Sequence, residues 1–173
     1  MRSAVIVRTR LPATLEGIRR RAVRDAADGV PAHLTLLYPF VDPARLDRPV
    51  RQAIEAVAAR HQPFDYRLTR PGRWPETVYL AVEPEGPFVR LQADLSAAFP
   101  DYPIYGSLAR YAYLPHVTIV EGSAATDPAG AVGRSLAHDA WRSLPVTSRA
   151  TVVEVIATTS DGRWRTVWRI RLG

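Results

Sequence analysis

The chain contains the same short pattern twice, a histidine and a threonine two residues apart within an apolar segment. The first copy, His-Leu-Thr-Leu, occupies residues 33–36, and the second, His-Val-Thr-Ile, occupies residues 116–119. In a β-strand, residues i and i+2 point to the same face. Each copy therefore predicts a strand that carries an imidazole and a hydroxyl on one face and buries aliphatic side chains on the other.

Each copy also closes a predicted strand–helix–strand unit. The first unit consists of strand 3–9, helix 14–27 with Thr14 as its N-cap, and strand 33–38. The second consists of strand 77–83, helix 87–99 and strand 116–121, with a long irregular, tyrosine-rich stretch at 100–114. The matching order of elements suggests an internal duplication.

The rest of the chain is predicted from apolar periodicity and turn residues. A helix is expected over 43–61 and a strand near 63–70, which ends at the turn residues Pro71, Gly72 and Pro75. Later elements are a Gly- and Ala-rich helix near 127–141 and strands near 145–159 and 163–172. His61 is interpreted as a helix cap and His138 as a surface residue.

The composition excludes several kinds of enzyme. The chain has no cysteine, and all 23 of its basic residues are arginine. It therefore has no cysteine nucleophile, no P-loop or Schiff-base lysine, and no lysine that a ligase would adenylylate. Catalysis must use His, Asp, Glu, Ser, Thr, Tyr or a metal. Neither motif has further ligands at the spacing of a zinc site, so no metal is expected.

Length and charge define the broad class. A chain of 173 residues with 47% hydrophobic residues predicts one globular domain. No membrane span and no export signal are expected, so the predicted location is the cytoplasm. The net charge of +6 favours polyanions such as RNA. The alternative is that the arginines merely solvate the surface.

The closing strand has two interpretations. Strict alternation predicts Arg163, Arg165, Arg169 and Arg171 on one face, interrupted by Val167, and Trp164, Thr166, Trp168, Ile170 and Leu172 on the other. The arginines are either a charged solvent face that discourages edge pairing or a comb that follows a phosphate backbone. We favour the solvent face, because nothing in the sequence places it at a cleft.

Two histidines across a cleft suit phosphodiester chemistry. Histidine titrates near neutrality, so one imidazole can take a proton from water while the other gives one to a leaving oxygen. Threonine hydroxyls and backbone amides can hold the phosphate oxygens. A single histidine on a strand is more often structural, and the argument depends on the two copies in matching context.

The paired motifs resemble the 2H phosphoesterase superfamily, in particular its bacterial 2'-5' RNA ligase-like branch. The resemblance extends over nearly the whole chain, through HLTLLYPF, YPIYG, PHVTI and DGRWR. It implies an α+β, two-lobed fold within a single domain, 1–173. Each lobe is expected to be a small antiparallel sheet with helices, and a pseudo-twofold cleft between the lobes is expected to hold both motifs. Family members act on 2',3'-cyclic phosphates or 2'-5' phosphodiester links, and some join RNA ends without ATP.

The resemblance also implies roles for individual residues. His33 and His116 are the expected acid/base pair, and Thr35 and Thr118 the expected phosphate contacts. Tyr38, Tyr105 and Tyr113 are candidates for stacking a base or contacting the phosphate, with packing as the alternative. The expected substrate is RNA or a nucleotide, with no cofactor, metal or protein partner. Two alternatives remain, the same chemistry on a small non-RNA cyclic phosphate and a non-catalytic RNA-binding module.

Overall fold

The computed structural model describes residues 1–105, 112–127, 136 and 139–173. The strands in this part of the chain are β1 Ser3–Arg8, β2 His33–Leu37, β3 Phe64–Trp74, β4 Thr77–Glu83, β5 His116–Glu121, β6 Val146–Ala150, β7 Val152–Thr158 and β8 Trp164–Arg171. The helices are α1 Ala13–Ala22, α2 Arg24–Ala27, α3 Arg48–Ala58, α4 Gly86–Ala98 and α5 Ser123–Thr126.

The strands form two four-stranded antiparallel sheets. The first has the order β2-β1-β7-β8 and the second the order β5-β4-β3-β6. Each histidine motif occupies an edge strand, β2 in one sheet and β5 in the other, and each edge strand pairs with the first strand of its strand–helix–strand unit. The predicted α+β, two-lobed architecture with two small antiparallel sheets is confirmed.

A continuous apolar core joins the inner faces of the sheets. Leu34, Leu36, Val117 and Ile119 are fully buried in it, as the alternation of the two motifs predicts. Burying four such side chains contributes roughly 6–12 kcal/mol, an upper bound from area arguments. A one-residue slip of either strand would expose its aliphatic side chains and bury its imidazole, so the core fixes the direction in which the histidines point.

The helices differ in detail from the prediction. Helix α1 begins at Ala13 after Pro12, so Thr14 lies inside the helix and is not its N-cap. The predicted helix 14–27 is interrupted at Val23, whose backbone is extended. There the Arg24 N–H donates to the Glu121 carboxylate of β5 at 2.9 Å, and this long-range bond replaces a helical one.

The predicted helix 43–61 is also divided. A 3-10 turn at Pro43–Arg45 precedes α3, and the Asp47 side chain caps α3 by accepting from the Val50 N–H at 3.0 Å. The His61 N–H bonds to the Ala58 carbonyl beyond the helix end, while its ring contacts Asp94 of α4 at 2.9 Å.

Strand β3 continues through residues that we predicted to form a turn. Pro71 pairs with Leu80 and Gly72 with Tyr79, after a bulge that follows Leu68. Strand β6 pairs with β3 only as far as Leu68, so the last part of β3 is a sheet edge. Proline is tolerated at an edge because no partner needs its missing N–H. The chain reverses direction only at Pro75.

The predicted strand region 145–159 is two strands in different sheets. Strand β6 belongs to the second sheet and β7 to the first, so the chain crosses between the lobes at Thr151. The predicted helix 127–141 lies mostly outside the described residues, as do Gly106, Tyr111 and His138. No helix in the described part of the chain is long and apolar enough to cross a membrane.

The predicted faces of the closing strand are wrong because β8 contains a bulge. Val155 pairs with Trp168 and Ile156 with Thr166, so Val167 is an extra residue on β8. Alternation therefore changes phase at Val167. Trp164 packs with Ala4, Ile6 and Ile156 on one face, while Ile170 and Leu172 lie in the main core on the other.

Candidate active site

The two motif strands lie next to one another and form the walls of one cleft. The cleft has a volume of about 800 Å³ and is lined from both sheets. His33 and Thr35 of β2 and His116 and Thr118 of β5 all line it. The structure therefore brings together the four residues that the sequence singled out, although they come from two edge strands in different sheets.

Both imidazoles are oriented in the same way. Nδ1 of His33 lies 2.7 Å from the Pro31 carbonyl, and Nδ1 of His116 lies 2.8 Å from the Leu114 carbonyl, in each case two residues earlier. Because a carbonyl oxygen only accepts, each Nδ1 carries a hydrogen and each neutral ring keeps its lone pair on Nε2. His33 Nε2 lies 3.2 Å from the Thr35 hydroxyl.

The surroundings of the two rings lower both pKa values. The pKa of His33 is lowered to about 4, mainly by burial and also by the positive charges of Arg19, His116 and Arg8, while the Pro31 hydrogen bond acts in the opposite direction. Burial also lowers the pKa of His116, and no positive side chain of the described residues adds to that effect. The two motifs are therefore alike in hydrogen bonding and different in nearby charge.

Arg19 stabilises the turn that precedes the first motif strand, β2. It is buried, with 2% of its surface exposed, although it belongs to a run of three consecutive arginines in α1. Its Nη2 donates to the carbonyls of Val30 at 3.1 Å and Pro31 at 2.9 Å. The Pro31 carbonyl thus accepts from both Arg19 and His33. Helical spacing could have separated Arg19 from the neighbouring arginines of α1, because it lies four residues after Leu15 and three before Ala22, both buried. Glu16, one turn earlier, lies 3.6 Å from it.

Aromatic side chains surround the second motif. The Trp74 ring lies 4.7 Å from the His116 ring and edge-on to it, and the Tyr79 ring lies 5.5 Å from it. Trp74 and Tyr79 also contact each other at 4.3 Å. Tyr79 covers Gly72, where a Cβ atom would come within 2.3 Å of the tyrosine ring. Sequence reasoning missed Trp74, because the predicted turn at Pro71 and Gly72 separated it from the sheet.

The candidate tyrosines line the cleft and also hold strand β2 in place. The Tyr113 hydroxyl donates to the Thr35 carbonyl at 2.8 Å, and the Tyr105 phenol bonds to the Thr35 side chain. Burial raises the pKa of both phenols, so they remain protonated. Tyr38 accepts from Arg2 at 3.4 Å and packs against Trp164. These contacts give each tyrosine a packing role, whatever it contributes to ligand binding.

Carboxylates also reach the cleft. Asp25 lies 3.3 Å from Arg2, and Glu121 accepts from the Arg24 N–H. Across the residues that the structure describes, no three His, Cys, Asp or Glu side chains converge to form a set of metal ligands. The best candidates for proton transfer in the cleft are therefore the two imidazoles, each with an Nε2 lone pair.

Comparison with known proteins agrees with this geometry. The structure is similar to that of TT0787 of Thermus thermophilus, with 23% identity, a TM-score of 0.58, and 99% of this chain and 98% of the other covered. It is also similar to E. coli LigT complexed with 3'-AMP, with 20% identity, a TM-score of 0.53, and 99% and 97% covered. A structure described as a phosphoesterase matches with 18% identity, a TM-score of 0.55, and 99% and 97% covered.

At these identities the solved structures show a shared fold. A comparison with curated proteins finds no match. The model of the 2'-5' RNA ligase superfamily, in contrast, matches residues 7–161, a range that contains both histidine motifs and most of the chain. The chain therefore belongs to the 2'-5' RNA ligase superfamily, the 2H phosphoesterases.

Proposed function

We propose that this protein hydrolyses, or reversibly forms, 2',3'-cyclic phosphate or 2'-5' phosphodiester bonds in RNA or nucleotides without a metal ion. The observation that supports this proposal best is the matched pair of imidazoles in one cleft, each with Nδ1 bound to a backbone carbonyl and the lone pair on Nε2. The similar fold of LigT, solved with 3'-AMP, adds support for a nucleotide as the ligand.

The difference in charge around the rings suggests how the proton transfers are divided. Arg19 and Arg8 disfavour a positive charge on His33, whereas His116 lies among aromatic rings, which tolerate a cation. The negative charge of a bound phosphate raises the pKa of both rings, and His116 then takes a proton more readily than His33. We therefore assign His33 as the general base and His116 as the general acid in hydrolysis.

The proposed step balances in atoms and charge. A water oxygen forms a new bond to phosphorus while the bond to the 2' or 3' oxygen breaks. The water proton passes to Nε2 of His33, and the proton on Nε2 of His116 passes to the leaving oxygen. Exchange with solvent then restores both imidazoles. The Thr118 and Thr35 hydroxyls are assigned to donate to the non-bridging phosphate oxygens, where negative charge is greatest in the transition state.

The apolar core shared by the two sheets also indicates how far the domain extends along the chain. Side chains from both sheets pack in one cluster, including Val5 and Val155 of the first sheet and Leu80 and Val117 of the second. Neither sheet has a separate core of comparable size among the described residues. This continuity supports the proposal that residues 1–173 form a single domain.

The test compares purified wild-type protein with three histidine variants in the presence of EDTA. The substrates are 2',3'-cyclic nucleotides and an RNA that ends in a 2',3'-cyclic phosphate, and the 2'- and 3'-monophosphate products are separated. We expect His33→Ala and His116→Ala each to lower the rate by about 10²–10⁴. His61→Ala is the matched control, since His61 bonds Asp94 and does not line the cleft.

Two results would contradict the proposal. If EDTA abolished turnover, the metal-free mechanism would be wrong. If both cleft variants retained turnover, the histidines would not be the proton-transfer groups. Absence of turnover in the wild type, with RNA binding unchanged in both cleft variants, would favour the non-catalytic RNA-binding module.

A further inference from the structure

The bulge at Val167 divides the arginines of β8 between the two faces of the first sheet. Directly paired residues of antiparallel strands share a face. Arg169 pairs with Glu154, and Arg165 pairs with Ala157, three residues further along β7, so the two arginines lie on opposite faces. The single comb predicted from strict alternation does not exist, and Arg169 belongs to the face that carries Glu154.

That face is the one that carries the first histidine motif. Thr35 pairs with Ile6, Ile6 with Glu154, and Glu154 with Arg169, which makes one row across all four strands. Neighbouring strands are about 4.8 Å apart, so the row extends about 14 Å from Thr35 to Arg169. In the adjacent row, Arg8 pairs directly with His33. This face of the first sheet, which we call the floor, therefore extends from the cleft to the basic edge strand β8.

A buried carboxylate organises the basic end of this floor. Glu154, with 6% of its side chain exposed, accepts from Arg8 at 2.8 Å and from the Thr166 hydroxyl at 3.2 Å, and it forms an ion pair with Arg169 at 3.3 Å. One carboxylate between two guanidinium groups leaves a net positive charge. Within the described part of the chain, Nη1 and Nη2 of Arg169 have no hydrogen-bond partner, and this side chain is 64% exposed. No acceptor among the described residues therefore competes with an external anion for these two nitrogens.

A pocket beside Arg8 and Thr166 of this group shares part of its lining with the cleft. It has a volume of about 230 Å³, and Arg8, Pro31 and Thr166 contribute to its lining. Its walls include Ile156 and Trp164, which also line the larger cleft. A ligand that leaves the histidines along the sheet therefore crosses an apolar surface and then meets guanidinium donors.

We propose that the surface formed by Arg8, Thr166 and Arg169 binds a backbone phosphate of an RNA strand whose reacting end lies at His33 and His116. The inference rests on the proposed function and narrows it, since a free 2',3'-cyclic nucleotide has one phosphate and cannot occupy both places. Arginine suits this role because its planar donors match phosphate oxygens. The substrate is then the end of an oligonucleotide.

The test measures binding and turnover separately. Binding of a 5'-labelled RNA hexamer with a 3'-phosphate is followed by fluorescence anisotropy over a range of salt concentrations. Turnover is measured with a 2',3'-cyclic mononucleotide. The variants are Arg169→Gln, Arg169→Lys and the control Arg51→Gln. Arg51 lies on α3, outside both the cleft and the pocket beside it, and is also half-exposed and paired with a carboxylate, that of Glu55 at 2.8 Å.

We expect Arg169→Gln to weaken hexamer binding about two- to fivefold and to reduce the slope of log affinity against log salt by about 0.7, the value for one phosphate contact on a single strand. Arg169→Lys should restore the slope, and Arg51→Gln should leave it unchanged. Mononucleotide turnover should be the same in all four proteins, because Arg169 is about 14 Å from the motif.

The outcomes separate the two proposals. The phosphate-binding surface would be overturned if the slope of log affinity against log salt were the same in Arg169→Gln and the wild type, or if the slope decreased equally in Arg51→Gln. Either result would leave the proposed function in place. Absent turnover of both the 2',3'-cyclic mononucleotide and an RNA that ends in a 2',3'-cyclic phosphate, together with hexamer binding that depends on Arg169, would overturn the proposed function and support the surface. Thermal melting of each variant checks that a lost slope does not come from unfolding.

Discussion

Replacing Arg19 with methionine is the most informative perturbation of this fold. The guanidinium is almost fully buried and donates to the carbonyls of Val30 and Pro31. Methionine keeps much of the apolar stem but removes both donors. The two carbonyls then lose a charged partner in a place that water reaches poorly, and the residue that precedes the first histidine motif by two positions loses its support.

The expected cost follows from these bonds. A hydrogen bond to a charged group contributes about 1.5–3 kcal/mol, and a buried acceptor left without a partner costs about 1–3 kcal/mol. Because Pro31 keeps its bond from His33, we expect Arg19→Met to lower the free energy of unfolding by about 3–5 kcal/mol. The ion pair with Glu16 adds little, since Glu16 is partly exposed and the separation is 3.6 Å.

Urea unfolding followed by tryptophan fluorescence measures this change. Arg20→Met is the control, because Arg20 is the next residue of the same helix and is exposed. We expect the control substitution to lower the free energy of unfolding by less than about 0.5 kcal/mol. If Arg19→Met lowered this free energy no more than Arg20→Met, the argument that Arg19 stabilises the turn before β2 would be refuted.

The same substitution also has an electrostatic consequence. The charge of Arg19 is one cause of the lowered pKa of His33, so its removal should raise that pKa. An NMR titration of the imidazole in folded Arg19→Met tests the direction, with His116 as the internal reference, because its pKa is lowered by burial and not by Arg19. A lower or unchanged pKa of His33 would show that the charge of Arg19 does not control its protonation.

Two further predictions concern packing and pH. Gly72→Ala places a Cβ atom 2.3 Å from the Tyr79 ring, so Tyr79 must move. We expect the free energy of unfolding to fall by about 1–3 kcal/mol and turnover to decrease. Unchanged stability and turnover would show that the Tyr79 ring can move without cost. The pKa of His33 is about 4 when folded and about 6.5 when unfolded. The unfolded state therefore binds more protons between these values, and stability should fall by up to about 3 kcal/mol as pH decreases through this range. As pH decreases, the urea midpoint should fall less in His33→Gln than in the wild type. An identical fall in both proteins would show that His33 does not cause the pH dependence of stability.

The sequence predicted best what local alternation controls. The two motif strands and the burial of Leu34, Leu36, Val117 and Ile119 were predictable from it. Their patterns have a period of two, and a wrong register would expose the aliphatic residues at high cost. The shared cleft was expected from the resemblance to the 2H phosphoesterases and not from alternation. The positions of the motifs at the edges of two separate sheets were not predictable from alternation, because strand order depends on long-range pairing.

Other features escaped prediction for identifiable reasons. The bulge at Val167 has no local signature, yet one extra residue reverses the face of every side chain that follows it. Pro71 indicated a turn because proline disrupts central strands, but the end of β3 is an edge. Helical spacing places Arg19 beside the buried face of α1, but its hydrogen bonds could not be predicted, since they depend on where the Val30 and Pro31 carbonyls lie.

The asymmetry on which the proposed mechanism depends arises outside the repeated motif. Within the motifs the two histidines are equivalent, with the same carbonyl contact at nearly the same distance. The difference comes from elements that do not match between the lobes. Arg19 of α1 and Arg8 of β1 place positive charge near His33, and the end of β3 places Trp74 beside His116. A symmetric pair of imidazoles would have no preferred direction of proton transfer. Unlike neighbours supply that preference without changing either motif.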